Sequence, residues 1–270
     1  TTVFGYACDQ TPEMLPLAIV LAHRLARRMK DVRAANVIAH LHPDGQAQVS
    51  VRYEGRRPKG IEGVTLTAAA TDTNLSRHGF TALLREAIIE PVLTSEYRVP
   101  DDRVMIISST GPGGPTRHAG LTGRKNDIDT YGSYSRHGGA ALSGKDPSRM
   151  DRTGCYAARY AAKNVVAAGL ADECEVQISY AMGRSEPVSV DVDTFSTGRV
   201  PDDRIARAIC REIDFTPLGL GELFALHRIP CMRDGRFFRD LGAFGHFARE
   251  ELDLPWEATD CAKRLAASVE

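Results

Sequence analysis

The chain has 270 residues, 43% of them hydrophobic and 26% charged, a balance typical of a globular protein that buries a core. Its formal net charge of −1 gives no general attraction to nucleic acid or to an anionic membrane surface. The sequence contains no apolar run long enough to span a bilayer, no secretory signal pattern and no C-x-x-C pair of the kind that binds zinc, so we expect a cytoplasmic protein without a zinc site. A site for an anion must then be a local cluster of charge.

Hydrophobic patterning predicts strands and helices along the first part of the chain. Residues 1–7 are typical of a strand, and apolar residues at helical spacing follow Pro16. The next elements are expected to be two strands, a helix and a strand, over residues 48–53, 64–68, 83–88 and 104–107. This order predicts an α+β fold with the helices on one face of a sheet.

A break rich in glycine and proline at 111–115 marks the expected domain boundary. It divides the chain into a middle domain of residues 1–112 and a C-terminal domain of residues 113–270.

The second domain repeats the pattern of strands and helices. Asp146-Pro147 is expected to open a long helix that Gly169 ends. Alternating strands are predicted over 176–180 and 188–192, and Asp202 is expected to cap a further helix. We therefore expect two related α+β units.

The segment from Gly120 to Asp151 is dense in glycine and charge and poor in apolar periodicity. Glycines allow backbone N–H groups to approach phosphate oxygens closely. Arg124 and Lys125 place two cations side by side, and Lys145 comes just before the expected helix N-terminus, where the helix dipole favours an anion. This pattern predicts a polyphosphate-binding segment.

Two further charges fall in the same segment. Arg149 lies one turn beyond Lys145, and Asp151 is a carboxylate inside the basic cluster, the usual arrangement for holding Mg²⁺ against phosphates. A Walker A loop is absent, and each charge alone is more simply interpreted as a solvated side chain on a glycine-rich turn. Five charges among so many glycines favour anion binding.

The order of short motifs in this segment resembles the carboxy-terminal part of methionine adenosyltransferases, the S-adenosylmethionine synthetases. The motifs are GLTGRK, DTYG, RHGG, SGKDPS, YAARY, AAKN and VAAGLA. Earlier, FGYA and AHRL resemble the middle segment of that family, and GHF and PWE resemble its end. The resemblance covers nearly the whole chain.

The resemblance implies related α+β domains about a pseudo-threefold axis and tight dimers with active sites at the interface. It also implies a reaction in which ATP, methionine and water give S-adenosylmethionine, pyrophosphate and phosphate, with Mg²⁺ and K⁺ assisting. In that reaction the methionine sulfur attacks the ribose C5′ and expels the triphosphate. Positioning and electrostatic stabilisation of the leaving charge are expected to provide most of the catalysis.

Site residues follow from the resemblance position by position. Arg124, Lys125 and Lys145 would grip the triphosphate, and Asp151 would hold Mg²⁺. The positions implied to contact ATP or substrate in other ways are Ala141, through its backbone, Asp44, near the adenosine, and Met182, an apolar contact.

Departures from the family pattern accompany these matches. Gln46 stands where the family has a phosphate-contacting lysine, His118 replaces an aspartate near the substrate, and Arg149 replaces a lysine. His118 is either a turn residue or a contact to an unusual substrate or partner. By contrast, His137 is expected to brace the loop and His246 to be structural.

The family's first domain finds no counterpart in this sequence. We therefore expect the chain to be the large subunit of a heteromeric methionine adenosyltransferase, with a small partner chain supplying that domain and with a dimer or higher oligomer formed. The alternatives are a non-catalytic regulatory subunit of a full-length enzyme, or a relative with an altered substrate. Gln46, His118 and the loss of an aromatic residue that packs on adenine motivate the first alternative, and the altered pocket at His118 motivates the second.

Overall fold

In the computed structural model, the described residues are all but 72–75, 95–96, 110–113, 115–118, 121–123 and 270, together with the side chain of Arg233. They form two compact units, one of residues 1–16 and 121–270 and the other of residues 17–120. None of the described helices combines the length and the apolar character needed to cross a membrane.

Strands and helices occur in both units, which confirms the predicted α+β class. The strands are β1 (Thr2–Cys8), β2 (Leu41–Glu54), β3 (Arg57–Ala70), β4 (Val104–Ser109), β5 (Glu173–Ser179) and β6 (Ser189–Asp193). The α-helices are α1 (Leu17–Ala34), α2 (Arg77–Leu84), α3 (Asn126–Asp129), α4 (Met150–Ala167), α5 (Asp202–Glu212), α6 (Pro217–Leu223), α7 (Phe237–Asp240) and α8 (Ala262–Ser268). A π-helical turn, Arg85–Ile89, continues α2.

The larger unit is built on an antiparallel sheet in the order β1-β5-β6. Helix α4 packs directly on β1, and Gly5 makes this approach possible. A Cβ atom at Gly5 would lie 1.9 Å from the carbonyl carbon of Ala158 and 2.2 Å from the backbone nitrogen of Arg159. Strand and helix therefore meet backbone to backbone, in a place where no side chain fits.

Arg159, on α4, is fully buried and links three parts of the larger unit. Its five N–H groups all donate within 2.8–2.9 Å, to the carboxylate of Glu257 and to the carbonyl oxygens of Tyr6, Glu13 and Met14. Burial favours the neutral form of Glu257, but the charges of Arg159 and Lys163 outweigh this and lower the pKa of Glu257. A buried guanidinium is tolerated here because every donor has a partner.

The smaller unit has a sheet in the order β2-β3-β4. Strands β2 and β3 form an antiparallel hairpin, and β4 returns parallel to β3 after α2. One face of this sheet and the apolar faces of α1 and α2 enclose a core that includes Leu21, Leu25, Leu66, Phe80 and Ile88. The alternating burial of β3 follows its sequence, because successive strand residues point to opposite faces.

The predicted starts of elements were of mixed accuracy: α1 begins at Leu17, directly after Pro16, whereas β2 and β3 begin at Leu41 and Arg57 rather than at residues 48 and 64. The predicted helix start at Asp146-Pro147 is wrong, since α4 begins at Met150 with Arg149 as its N-cap. The Asp146 carboxylate instead accepts a hydrogen bond from the Ser148 backbone nitrogen at 2.8 Å, which closes a turn before the helix. Hydrogen bonds from the Ser148 side chain and then from its backbone lower the pKa of Asp146. Lys145 is thus on a loop that precedes the helix rather than directly at its N-terminus.

Of two other predicted helix ends, the start of α5 was wrong in its cap and the end of α4 is confirmed. Asp202 is not the cap of α5, because its carboxylate accepts hydrogen bonds from the backbone nitrogen and hydroxyl of Thr194. Gly169 does end α4, with a φ of +69° and hydrogen bonds from Gly169 and Leu170 back to the last turn.

Candidate anion-binding site

The residues predicted to bind the triphosphate lie on and around the loop between α3 and α4. Arg124 and Lys125 are exposed at the start of α3, and Arg149 is exposed at the N-cap of α4. Ala141 and Lys145 lie between the two helices and are partly buried. Met182, in the turn after β5, is fully exposed, and His118 is outside the described residues.

Lys145 and Asp151 are brought into direct contact. The Lys145 Nζ donates to Asp151 Oδ2 at 2.7 Å, and just over a quarter of each side chain is exposed. Hydrogen bonds from Lys145 and then from Thr1 lower the pKa of Asp151, so its carboxylate is charged at neutral pH. The loop therefore presents a cation and an anion together, at the edge of solvent.

The backbone at Lys145 is held by Arg152, a residue that the sequence analysis did not single out. Arg152 is 3% exposed, and its Nη1 donates to the Lys145 carbonyl oxygen at 2.6 Å. Its Nε donates to the Tyr156 hydroxyl at 2.8 Å, and its guanidinium lies 4.6 Å from the ring centre of Phe238. The signal that could have found it is its place directly after Asp151 on a helix whose later residues are mostly apolar.

His246 joins the same loop to the C-terminal part of the unit. Its ring nitrogens lie 2.8 Å from Ser143 Oγ and 2.7 Å from the Tyr156 hydroxyl, and its carbonyl oxygen accepts from Trp256 Nε1 at 2.9 Å. Burial, together with the positive charges of Arg152 and Arg249, lowers the pKa of His246 to about 3. The imidazole is therefore neutral at physiological pH and has the structural role expected for it.

The first half of the loop is braced by α3 and β1. His137 contacts Asp127 at 2.9 Å, and its Nδ1 accepts from the Gly139 backbone nitrogen at 3.1 Å, so His137 braces the loop as expected. The Asn126 amide donates to the Gly139 carbonyl oxygen at 2.7 Å. A Cβ atom at Gly138 would lie 2.5 Å from the Thr2 carbonyl oxygen, so only glycine allows this approach to β1.

Asp44 and Gln46 belong to the smaller unit, on β2. Gln46 is exposed and pairs with Thr67 of β3. Asp44 is partly buried, and its Oδ1 is a buried oxygen with no hydrogen-bond partner among the described residues. A buried carboxylate oxygen without a partner is costly, so a donor from water or from a ligand would stabilise this position.

Asp151 fits one part of a magnesium site. Among the described residues, no group of three or more His, Cys, Asp or Glu side chains could enclose a metal ion. Mg²⁺ usually binds through one or two carboxylates while phosphates and water complete its octahedron. Asp151, a single carboxylate beside a cationic loop, matches that pattern. The described residues do not provide a metal site built from several protein ligands.

Comparison with known proteins agrees with this fold. The family model of the S-adenosylmethionine synthetase central domain matches residues 1–112, and that of the S-adenosylmethionine synthetase C-terminal domain matches residues 112–258. The chain belongs to the S-adenosylmethionine synthetase family, which confirms the resemblance found in its motifs.

Individual relatives extend the match over the whole chain. An S-adenosylmethionine synthase of Microcystis aeruginosa is 48% identical over 99% of this chain and 67% of its own length. One from Rippkaea orientalis is 47% identical over 97% of this chain and 65% of its own length. The structure of an unusual S-adenosylmethionine synthetase from Campylobacter jejuni superposes with a TM-score of 0.89 at 31% identity, covering all of this chain and 70% of that one. The chain thus spans about two thirds of the length of these relatives.

Proposed function

We propose that this chain is the triphosphate-binding part of a methionine adenosyltransferase, which makes S-adenosylmethionine, pyrophosphate and phosphate from ATP, methionine and water. The observation that carries the proposal is the Lys145–Asp151 contact of 2.7 Å on a loop whose backbone a buried Arg152 holds. A lysine held in place beside a carboxylate is suited to exchange its internal partner for a phosphate oxygen.

Lys145 would stabilise the negative charge that develops when the sulfur of methionine displaces the triphosphate from C5′. Arg124 and Lys125 would add positive charge from the start of α3. Removing one such preorganised interaction typically costs about 10²–10³ in kcat. Because the loop is held by buried hydrogen bonds, little reorganisation is needed when the leaving charge forms.

The carboxylate of Asp151 would hold Mg²⁺, which when bound neutralises charge on the phosphate oxygens. Exchange of the Lys145 contact for ATP would leave this carboxylate available, and an aspartate is charged at neutral pH even at its ordinary pKa of 3.8. K⁺ is implied by the family alone, and no step is assigned to it.

The remaining predicted residues would contact the nucleotide or the amino acid. Asp44 would offer the adenosine its buried Oδ1, which has no hydrogen-bond partner among the described residues, and Ala141 would offer backbone groups on the glycine-rich loop. The other positions proposed to lie near substrate are Gln46, His118, Arg149 and Met182.

We also propose that the chain acts as the large subunit of a heteromer with a small second polypeptide, in a cytoplasmic dimer or higher oligomer. The retained cluster around Lys145 supports a catalytic rather than a regulatory role, because a regulatory subunit has no need of a positioned phosphate-binding lysine.

The test combines the chain with the unmatched N-terminal part of the Microcystis aeruginosa relative and assays S-adenosylmethionine from ATP and methionine. We expect product only with both polypeptides, and a loss of about 10²–10³ in kcat for Lys145→Ala. Lys59→Ala is the matched control, because Lys59 pairs with Glu54 in the smaller unit and is half exposed. A mixture in which Lys145→Ala is as active as the unaltered chain would contradict the proposal. If the chain only changes the rate of a complete enzyme, and does so without Lys145, it is a regulatory subunit.

A further inference from the structure

A chain of buried hydrogen bonds ends at Ser143, which lies on the same loop as Lys145. It runs from Arg152 Nε to the Tyr156 hydroxyl at 2.8 Å, from there to His246 Nδ1 at 2.7 Å, and from His246 Nε2 to Ser143 Oγ at 2.8 Å. Arg152 and His246 are 3% and 0% exposed, and Tyr156 is fully buried against Trp256, with the ring centres 3.7 Å apart. Arg152, Tyr156 and His246, three of the four residues in this series of hydrogen bonds, are therefore shielded from water.

The chemistry of the four groups determines which one donates in each of these hydrogen bonds. The Arg152 guanidinium can only donate, so the Tyr156 oxygen accepts from it. The hydroxyl proton of Tyr156 then has His246 Nδ1 as its acceptor. The opposite arrangement would leave that buried proton without an acceptor among the described residues, at a cost of about 1–3 kcal/mol.

The proton of the neutral imidazole is consequently on Nε2. The low pKa of His246, which follows from its burial and from the charges of Arg152 and Arg249, excludes a second ring proton at neutral pH. His246 Nε2 therefore donates to Ser143 Oγ. Ser143 accepts this bond, and its own hydroxyl proton is left to donate to another group.

From this we infer that Ser143 is a binding residue for a phosphate oxygen and that His246 is the residue that positions it. The inference rests on the proposed function, because the phosphate would be the one that Lys145 contacts. Ser143 is partly exposed, and Arg152 holds both the Lys145 carbonyl and the far end of the hydrogen-bond chain. One buried guanidinium thus fixes a hydroxyl donor and an ammonium group on the same short loop.

The chemistry of the ligand follows from the donor. A hydroxyl that donates to an anionic oxygen forms a short, charge-assisted hydrogen bond, roughly twice as strong as one between neutral groups. Loss of such a bond is expected to weaken binding about tenfold or more.

The experiment measures the binding of inorganic tripolyphosphate to the full chain by titration calorimetry. Ser143→Ala is expected to bind about tenfold more weakly, because it removes the donor. Ser143→Thr keeps a hydroxyl and is the matched control, expected to bind within about threefold of the unaltered chain.

Tyr156→Phe tests whether the Tyr156 hydroxyl donates its proton to His246. It keeps the ring that packs on Trp256 but removes the donor to His246 Nδ1. A proton on Nδ1 would then be buried without an acceptor and close to the Arg152 guanidinium, so His246 is expected to keep its proton on Nε2 and to lose only the hydrogen bond at Nδ1. The ¹⁵N spectrum of the imidazole should show the Nε2–H tautomer in both proteins, with the Nδ1 resonance shifted in Tyr156→Phe because that nitrogen has lost its donor.

The outcomes distinguish a failure of the inference from a failure of the proposed function. If Lys145→Ala weakens binding but Ser143→Ala does not, the inference is wrong and the proposed function stands. The Nδ1–H tautomer in the unaltered chain would also overturn the inference. If the unaltered chain does not bind tripolyphosphate, or if Lys145→Ala binds it equally well, both are overturned.

Discussion

The Arg152 guanidinium donates to the Lys145 carbonyl oxygen over 2.6 Å, from a position that is 3% exposed. The backbone of the main phosphate-binding candidate is therefore anchored by a buried cation on the next helix. Because the anchor bonds the main chain, the Lys145 ammonium group remains able to exchange Asp151 for a ligand.

Replacement of Arg152 by lysine should reduce stability even though the charge is kept. A lysine cannot reach the Lys145 carbonyl oxygen and the Tyr156 hydroxyl with the same planar geometry. A buried group left without its partner costs about 1–3 kcal/mol, so urea unfolding should show a loss within this range for Arg152→Lys. Arg207→Lys, at an exposed pair with Asp203, is the control and should change stability by no more than about 0.5 kcal/mol. Equal effects of the two substitutions would show that Arg152 is not an anchor.

Asp151→Asn should change the affinity for tripolyphosphate in opposite directions with and without Mg²⁺. Without the metal, the substitution removes a negative charge and releases Lys145, so binding should become stronger. With Mg²⁺, it removes the carboxylate ligand, so binding should become weaker by about tenfold or more. Calorimetric titration under the two conditions gives the comparison. A weaker affinity of the same size in both conditions would contradict a role for Asp151 in holding the metal.

Gly5→Ala should destabilise the larger unit strongly. The added carbon would lie 1.9 Å from the backbone of Ala158, and relief requires β1 and α4 to move apart. Overpacking of this kind costs typically about 1–3 kcal/mol, and rigid backbone on the other side places this site at the upper end of that range or above it. In contrast, the carbon added by Gly221→Ala, in α6, would have no atom of the described residues within 4 Å, so this variant should be neutral or stabilising by up to about 1 kcal/mol. Thermal unfolding of the two variants checks the difference, and similar melting temperatures would contradict the close approach.

Asp129→Asn should make stability less dependent on pH. Burial raises the pKa of Asp129 to about 6, above its usual value of 3.8. The folded chain therefore binds more protons than the unfolded chain between these values, so this group's contribution to stability falls as pH rises through that window. At pH 8 the variant should be more stable than the unaltered chain, and this advantage should shrink towards pH 4. Urea unfolding at pH 4.5, 6 and 8 measures it, and a difference that is constant with pH would show that Asp129 has an ordinary pKa.

The sequence by itself determined the family, the α+β class and the segment in which the phosphate-binding candidates lie. These depend on local signals, namely the alternation of β3, the apolar spacing of α1 and the density of glycine and charge from Gly120 to Asp151. The sequence also predicted that Gly169 ends α4, because the left-handed backbone conformation that commonly follows a helix is adopted mostly by glycine. The domain boundary at 112–113 and the roles of the site residues stay predictions.

The tertiary structure alone decided which distant residues meet. Strand β1, assigned by sequence to the first domain, pairs with β5 in the larger unit, since a strand's pattern shows that it needs a partner but not which one. Local hydrogen bonding at Asp146 delayed the start of α4, and His246 reached Ser143 from 103 positions away. Periodicity and capping act within a few residues, whereas long-range contacts depend on how the whole unit packs. Such long-range contacts support the loop that carries Lys145.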